Sequence, residues 1–169
     1  MKLLKKSILV FFFILFFLED SYANKIYYID IDYIIKNSER GKIIIKNLEK
    51  INSKNINQLK EEQLQLINLE KEIKSKKNVL NEDEINKKIN ILNIKVKEFN
   101  IKKNKINNEY DKMKKNELNN FFTKVEKLIA NYVKEKSIDL LIDKKTVFVG
   151  ISSLDVTDDI LSIVNNNIK

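Results

Sequence analysis

Apolar residues recur at every seventh position over most of this chain, as Leu59, Leu66, Ile73 and Leu80 and then, in a new phase, as Ile85, Leu92, Phe99, Ile106 and Met113. Neither of the two glycines, Gly41 and Gly150, falls within these rows, and the chain has no proline. A heptad row that nothing interrupts dictates helices that meet along a narrow apolar seam, as in a coiled coil. The change of phase places a turn near residues 77–82. There Asn81, with Glu84 three residues later, has the spacing of an N-cap and its reciprocal partner. The cluster Glu82, Asp83 and Glu84 then suits the positive end of a helix dipole.

The rows extend beyond this stretch. Ile44, Leu48 and Ile51 follow steps of four and three, and the break before Leu59 reads as a kink or a change of supercoil. In the second helix Ile89, Val96 and Tyr110 are interleaved with the main row, with Lys103 interrupting them. Leu118, Val125 and Tyr132 then form one row and Phe121 with Leu128 another, to about residue 135. About fifty helical residues at 1.5 Å each make a rod on the order of 80 Å long. A globule of similar size would have a radius of gyration of only about 15 Å.

Period-two segments flank the hairpin. Residues 25–32 alternate, with Tyr27, Ile29 and Ile31 on one face and Asp30 and Asp32 on the other, which predicts a strand with a wet face rather than a metal pair. Residues 137–143 alternate again, with Ile138, Leu140 and Ile142 on one face. Asp143 to Thr146 read as a turn, and Val147, Phe148 and Val149 as a third strand. Asp155 or Thr157 then caps a short helix whose Ile160, Leu161, Ile163 and Val164 cover the sheet. The fold class is α+β: a small strand-built body, residues 24–36 and 137–169, with a long antiparallel helical hairpin arm, residues 37–136. So few short strands bury too little on their own, and their edges invite another chain. Oligomerisation is expected through Ile29, Ile31, Leu140, Ile142, Val147 and Val149.

Composition narrows the function. With no histidine and no cysteine, the chain lacks the atoms for a Ser-His-Asp triad, a Cys-His dyad, haem ligation or an ordinary zinc site. No enzyme activity, no cofactor and no metal are expected. Lys2, Lys5 and Lys6 precede the apolar run 8–18, and Ser21 and Ala23 set small residues before Asn24, the pattern of a signal peptide cleaved between Ala23 and Asn24. The run is about half the roughly 20 residues a bilayer-spanning helix needs. Residues 1–23 are therefore expected to be removed, leaving an exported, periplasmic protein. The formal charge of +8 survives largely intact without that segment. In an exported chain it favours anionic lipid, lipopolysaccharide or acidic polypeptide over nucleic acid.

The strand opening at Lys25, the motif Ser38-Glu39-Arg40-Gly41-Lys42, the charged hairpin, and the closing segments Ile138-Asp139-Leu140-Leu141-Ile142-Asp143 and Asp155-Val156-Thr157-Asp158-Asp159-Ile160 together resemble the Skp/OmpH family of periplasmic chaperones. The resemblance implies a homotrimer whose strands close a central body, with three arms around a cavity that holds unfolded outer-membrane proteins without ATP. It implies no catalytic residue. The lysine-rich arm, at Lys76, Lys77, Lys87, Lys88, Lys102, Lys103 and Lys105, is expected to attract acidic clients, and Val79 and Leu80 at the tip to add apolar contact. Two alternatives fit the same residues: a structural coiled-coil protein of the envelope, and a surface protein that binds anionic lipid or lipopolysaccharide through the lysines.

Overall fold

The computed structural model describes residues 24–77 and 79–169. The expected signal peptide and its cleavage point at Ala23 lie outside the described residues. In chain order the elements are β1 (Ile26–Ile29), α1 (Ile31–Asn37), α2 (Glu39–Lys76), α3 (Glu82–Glu135), β2 (Leu140–Asp143), two short 3₁₀ turns (Lys144–Thr146 and Ser152–Leu154) and α4 (Thr157–Asn167).

The arm is the antiparallel pair α2 and α3, of 38 and 54 residues. At 1.5 Å per residue α3 is about 80 Å long, and it outreaches α2 into the body. Along the seam the heptad residues from Leu59 to Ile106 are buried or half-buried, with Ile73 and Ile85 closing the tip, while Met113 at the end of the row is exposed. Asn81 caps α3 as the spacing predicts, its Oδ1 accepting from Glu84 N at 2.9 Å. The interleaved residues Ile89 and Val96 are exposed instead, because two antiparallel helices cover only one narrow stripe of each other.

The first strand ends sooner than its alternation suggests. Asp30 is extended and its carboxylate accepts from Tyr33 N at 2.8 Å, so the chain turns into α1 and Ile31 and Asp32 are helical. Asp30 is thus an N-cap, not part of a strand's wet face; Asp32 stands in the first turn of α1 and pairs with Lys145 at 2.8 Å. The next turn explains the Ser38 motif. Ser38, fully buried, separates α1 from α2, and its Oγ accepts from Gly41 N at 3.2 Å. A Cβ on Gly41 would sit 1.8 Å from the Ile35 carbonyl oxygen, so only glycine lets the two helices meet at this angle.

Among the described residues the sheet has two strands, β1 and β2, paired in parallel with Ile26 opposite Leu140 and Ile29 opposite Asp143. On the free side of β1, Tyr28 bridges to Asp155, and Val156 N donates to the Tyr28 carbonyl at 3.0 Å. The expected third strand at 147–149 does not form. Asp143 caps a 3₁₀ turn by accepting from Lys145 N at 2.9 Å, and the chain then crosses the Tyr28 ring, where a Cβ on Gly150 would come 2.8 Å from Tyr28 Cε1. The Tyr28 hydroxyl donates to the Ile151 carbonyl at 3.1 Å. Both edges of β1 are occupied by then, and the segment runs over the Tyr28 ring instead of along the outer edge of β2.

The strand phase of β2 also shifts by one. Ser137 takes a left-handed φ of 51° and α3 closes with Ile138 N bonding to the Val133 carbonyl at 2.9 Å and Ser137 N to that of Lys134 at 3.2 Å, a Schellman motif. Ile138 is spent on this closure and buried. Leu141, not Leu140 or Ile142, then faces the core.

That core joins the two chain ends to the base of the arm. Ile29, Ile34, Ile44, Leu48, Phe121, Val125, Tyr132, Val156, Ile160 and Val164 form one buried cluster. Neither Asp155 nor Thr157 is the N-cap of α4: Val156 holds that position without a side-chain cap, Asp155 just before it accepts from Thr157 N at 3.0 Å, and the Thr157 hydroxyl accepts from Asp30 N at 2.9 Å. The starts of α1 and α4 are thereby locked together.

Candidate functional site

Two surfaces carry what the core leaves over. The first is on the body. Strand alternation puts Ile26, Tyr28, Leu140 and Ile142 on the sheet face away from the core, and segment 147–151 runs over Tyr28. Leu140 is half-exposed, Val149 is 83% exposed and Phe148 fully so, with Ile26 and Ile151 also exposed. Among the predicted contact residues, Ile29 and Ile31 pack into the chain's own core and Ile142 and Val147 are half-buried. Only Leu140 and Val149 stand well clear of the surface. Ile26, Phe148 and Ile151 join them; the sequence signal for Phe148 is its place between two valines of an apolar segment.

Beside this patch, Lys144 pairs with Asp155 at 2.7 Å and lies 5.8 Å from the centre of the Tyr28 ring. Burial works against the Asp155 carboxylate, but hydrogen bonds from Lys144 and Thr157 outweigh it and hold its pKa below the usual range. Asp32 is likewise lowered by its hydrogen bond from Lys145. The acids and lysines of this corner therefore satisfy one another. Among the described residues no group of acids is placed to hold a metal ion.

The second surface is the arm. A groove of about 580 Å³ between the helices is lined by Leu66, Leu69 and Phe99, and by Glu62, Lys95, Glu98 and Lys102. Lys102 bonds to Glu62 across it, and nearer the tip Lys76 and Lys88 share Glu72 at 2.8 and 3.4 Å. These hydrogen bonds hold the Glu62 and Glu72 carboxyls below their ordinary pKa. Lys105 is at 4.0 Å from Glu109, while Lys77, Lys87 and Lys103 are exposed. Of the two apolar tip residues, Val79 is exposed and Leu80 half-buried under the turn.

Sequence reasoning placed apolar contact at the tip, but the shaft offers more. Ile56, Leu64 and Ile67 on α2, and Ile91, Ile94 and Ile101 on α3, are large, apolar and exposed. They fall off the heptad rows, which is the sign that would have found them. Such side chains gain nothing from the hairpin itself; exposed apolar groups gathered on one surface are the kind that proteins use for contacts.

A compact α+β body that projects one long helical hairpin, apolar at its base and studded with isoleucine and lysine along its shaft, defines a body-and-arm class of protein. The chain belongs to the OmpH-like outer membrane protein family, whose model matches residues 25–164. Among solved structures it is similar to a Caulobacter crescentus CB15 protein named as an OmpH-like outer membrane chaperone, with a TM-score of 0.77, 18% identity and 87% of each chain covered. No curated protein matches the chain.

Proposed function

We propose that this protein is a periplasmic holding chaperone that binds unfolded outer-membrane proteins and prevents their aggregation without ATP. The observation that carries the reading is the shaft: apolar side chains exposed in rows on a lysine-rich rod, where they cost solubility and add nothing to the fold. A holding protein needs contacts that are individually weak and many. Rows of isoleucine set among lysines supply short-range burial and a long-range field of one sign. The family and the name of the Caulobacter protein support the same reading.

The body patch supports assembly. Phe148, Val149, Ile151, Ile26 and Leu140 are the surface through which copies join, and a homotrimer would set three arms about one cavity. Each arm is then anchored only at its base.

The test is dilution of a urea-denatured outer-membrane β-barrel protein into buffer with and without the purified chain, followed by light scattering. Suppression at equimolar trimer, with no nucleotide present, is the expected result. Undiminished aggregation would refute the holding function and leave a structural coiled-coil role.

A further inference from the structure

On α3, away from the seam, six positions follow one another at steps of four and three: Lys87, Ile91, Ile94, Glu98, Ile101 and Lys105. All six are exposed, Ile94 by 50% and Ile101 by 61%. Steps of this kind align side chains along one face of a helix, so the three isoleucines form an apolar row bracketed by two lysines and interrupted once, by Glu98, which borders the inter-helix groove. The region is strongly one-signed: between Ile85 and Lys105 there are seven lysines against the single acid Glu98. Two of the seven, Lys88 and Lys102, are paired with carboxylates of α2, and Lys105 lies at 4.0 Å from Glu109 of its own helix. The exposed apolar residues of α2 lie in a different field, because Lys54 and Lys60 there are balanced by Glu61 and Glu62.

Charge decides what can cover this row. A second copy of the same row would bring lysine against lysine at both ends, in parallel or antiparallel alignment. An occupant with apolar side chains on one side and carboxylates among its polar residues meets no such repulsion. The length decides its form. From Lys87 to Lys105 the helix rises about 27 Å, the span of about eight residues of extended chain. Strands of membrane-spanning barrels are about 9–11 residues long and apolar on alternate positions.

We propose that the row Ile91, Ile94 and Ile101 between Lys87 and Lys105 is the docking face for a single extended, acidic, strand-forming segment of a client. This rests on the holding-chaperone reading and names the part of the client that is gripped.

Because the chain has no cysteine, one dye can be placed beside the row without touching it, at Asn90→Cys, and another beside the α2 residues, at Asn57→Cys. The probes are ten-residue peptides alternating leucine with glutamate or leucine with lysine. The glutamate peptide should shift a polarity-sensitive dye at position 90 and leave the one at 57 unchanged, and the lysine peptide should bind at least tenfold more weakly. Equal response at both positions, equal binding of the two peptides, or a response only to phosphatidylglycerol vesicles would overturn the proposal, the last in favour of a lipid surface. A second variant, Ile91→Gln with Ile94→Gln and Ile101→Gln, should raise the concentration needed to suppress barrel aggregation several-fold while helical circular dichroism is unchanged. Full activity in that variant sinks the docking face and spares the chaperone. If the unaltered chain fails to suppress aggregation, the chaperone reading falls, and the peptide assay still decides the row.

Discussion

The hydroxyl of Tyr132 donates to Oδ2 of Asp159 at 2.7 Å, tying the last turns of α3 to the start of α4. Burial first, and then the Asp159 carboxylate, push the Tyr132 pKa up to about 12. A raised pKa means the protonated phenol is favoured by folding, so this contribution is complete below the unfolded value near 10 and is lost as pH rises through about 12. Tyr132→Phe should cost about 1 kcal/mol. The deficit relative to the unaltered chain, measured by thermal melting, should hold steady up to pH 10 and shrink above it. A deficit that persists at pH 12 would show that the loss is one of packing.

Gly41 is the tightest point of the body. With a Cβ 1.8 Å from the Ile35 carbonyl oxygen, Gly41→Ala must spread α1 from α2 and should destabilise by about 3 kcal/mol, despite alanine's better helix propensity. Chemical denaturation checks this, and a neutral or stabilising result would mean the junction bends freely.

Ser137 occupies the left-handed position of a Schellman motif that glycine prefers. Ser137→Gly should stabilise by about 0.5 kcal/mol, the relief of side-chain strain exceeding the entropy glycine adds to the unfolded chain. A lower melting temperature would contradict this.

If copies join through the body patch, charge at its most exposed residues should separate them. Phe148→Glu with Val149→Glu should lower the mass found by native mass spectrometry to that of one chain, with the helical signal retained. An unchanged assembly would place the interface elsewhere.

Client capture should slow steeply as salt rises through the physiological range, where the screening length falls to about 8 Å. Stopped-flow association rates that are flat with salt would remove electrostatic steering while leaving apolar holding intact.

Much of this architecture was legible because helical periodicity is long-range and redundant. The seam residues from Leu59 to Ile106, the Asn81 cap and the two terminal strands each follow from spacing alone. What was hidden depends on single hydrogen bonds. Asp30 stops β1 by capping a helix that hydropathy cannot distinguish from strand, and the Ser137 closure shifts β2 by one residue and so turns Leu141 inward. Val147 to Val149 have strand composition, but the Asp143-capped 3₁₀ turn and the hydrogen bond from Tyr28 to Ile151 carry them over the Tyr28 ring instead of into the sheet. The isoleucine row on α3 was obscured by the stronger seam signal beside it.

The parallel pairing of β1 with β2 also orders events during synthesis. Lys25 N waits for Asp139, 114 residues later, to accept its hydrogen bond at 2.8 Å. Helices α2 and α3 can zip within microseconds from neighbouring turns, whereas the sheet demands that both ends of the nascent polypeptide be present. The hinge of the tongs is thus made after its handles, and a ribosome that stalls before β2 releases a finished arm with nothing to hold it.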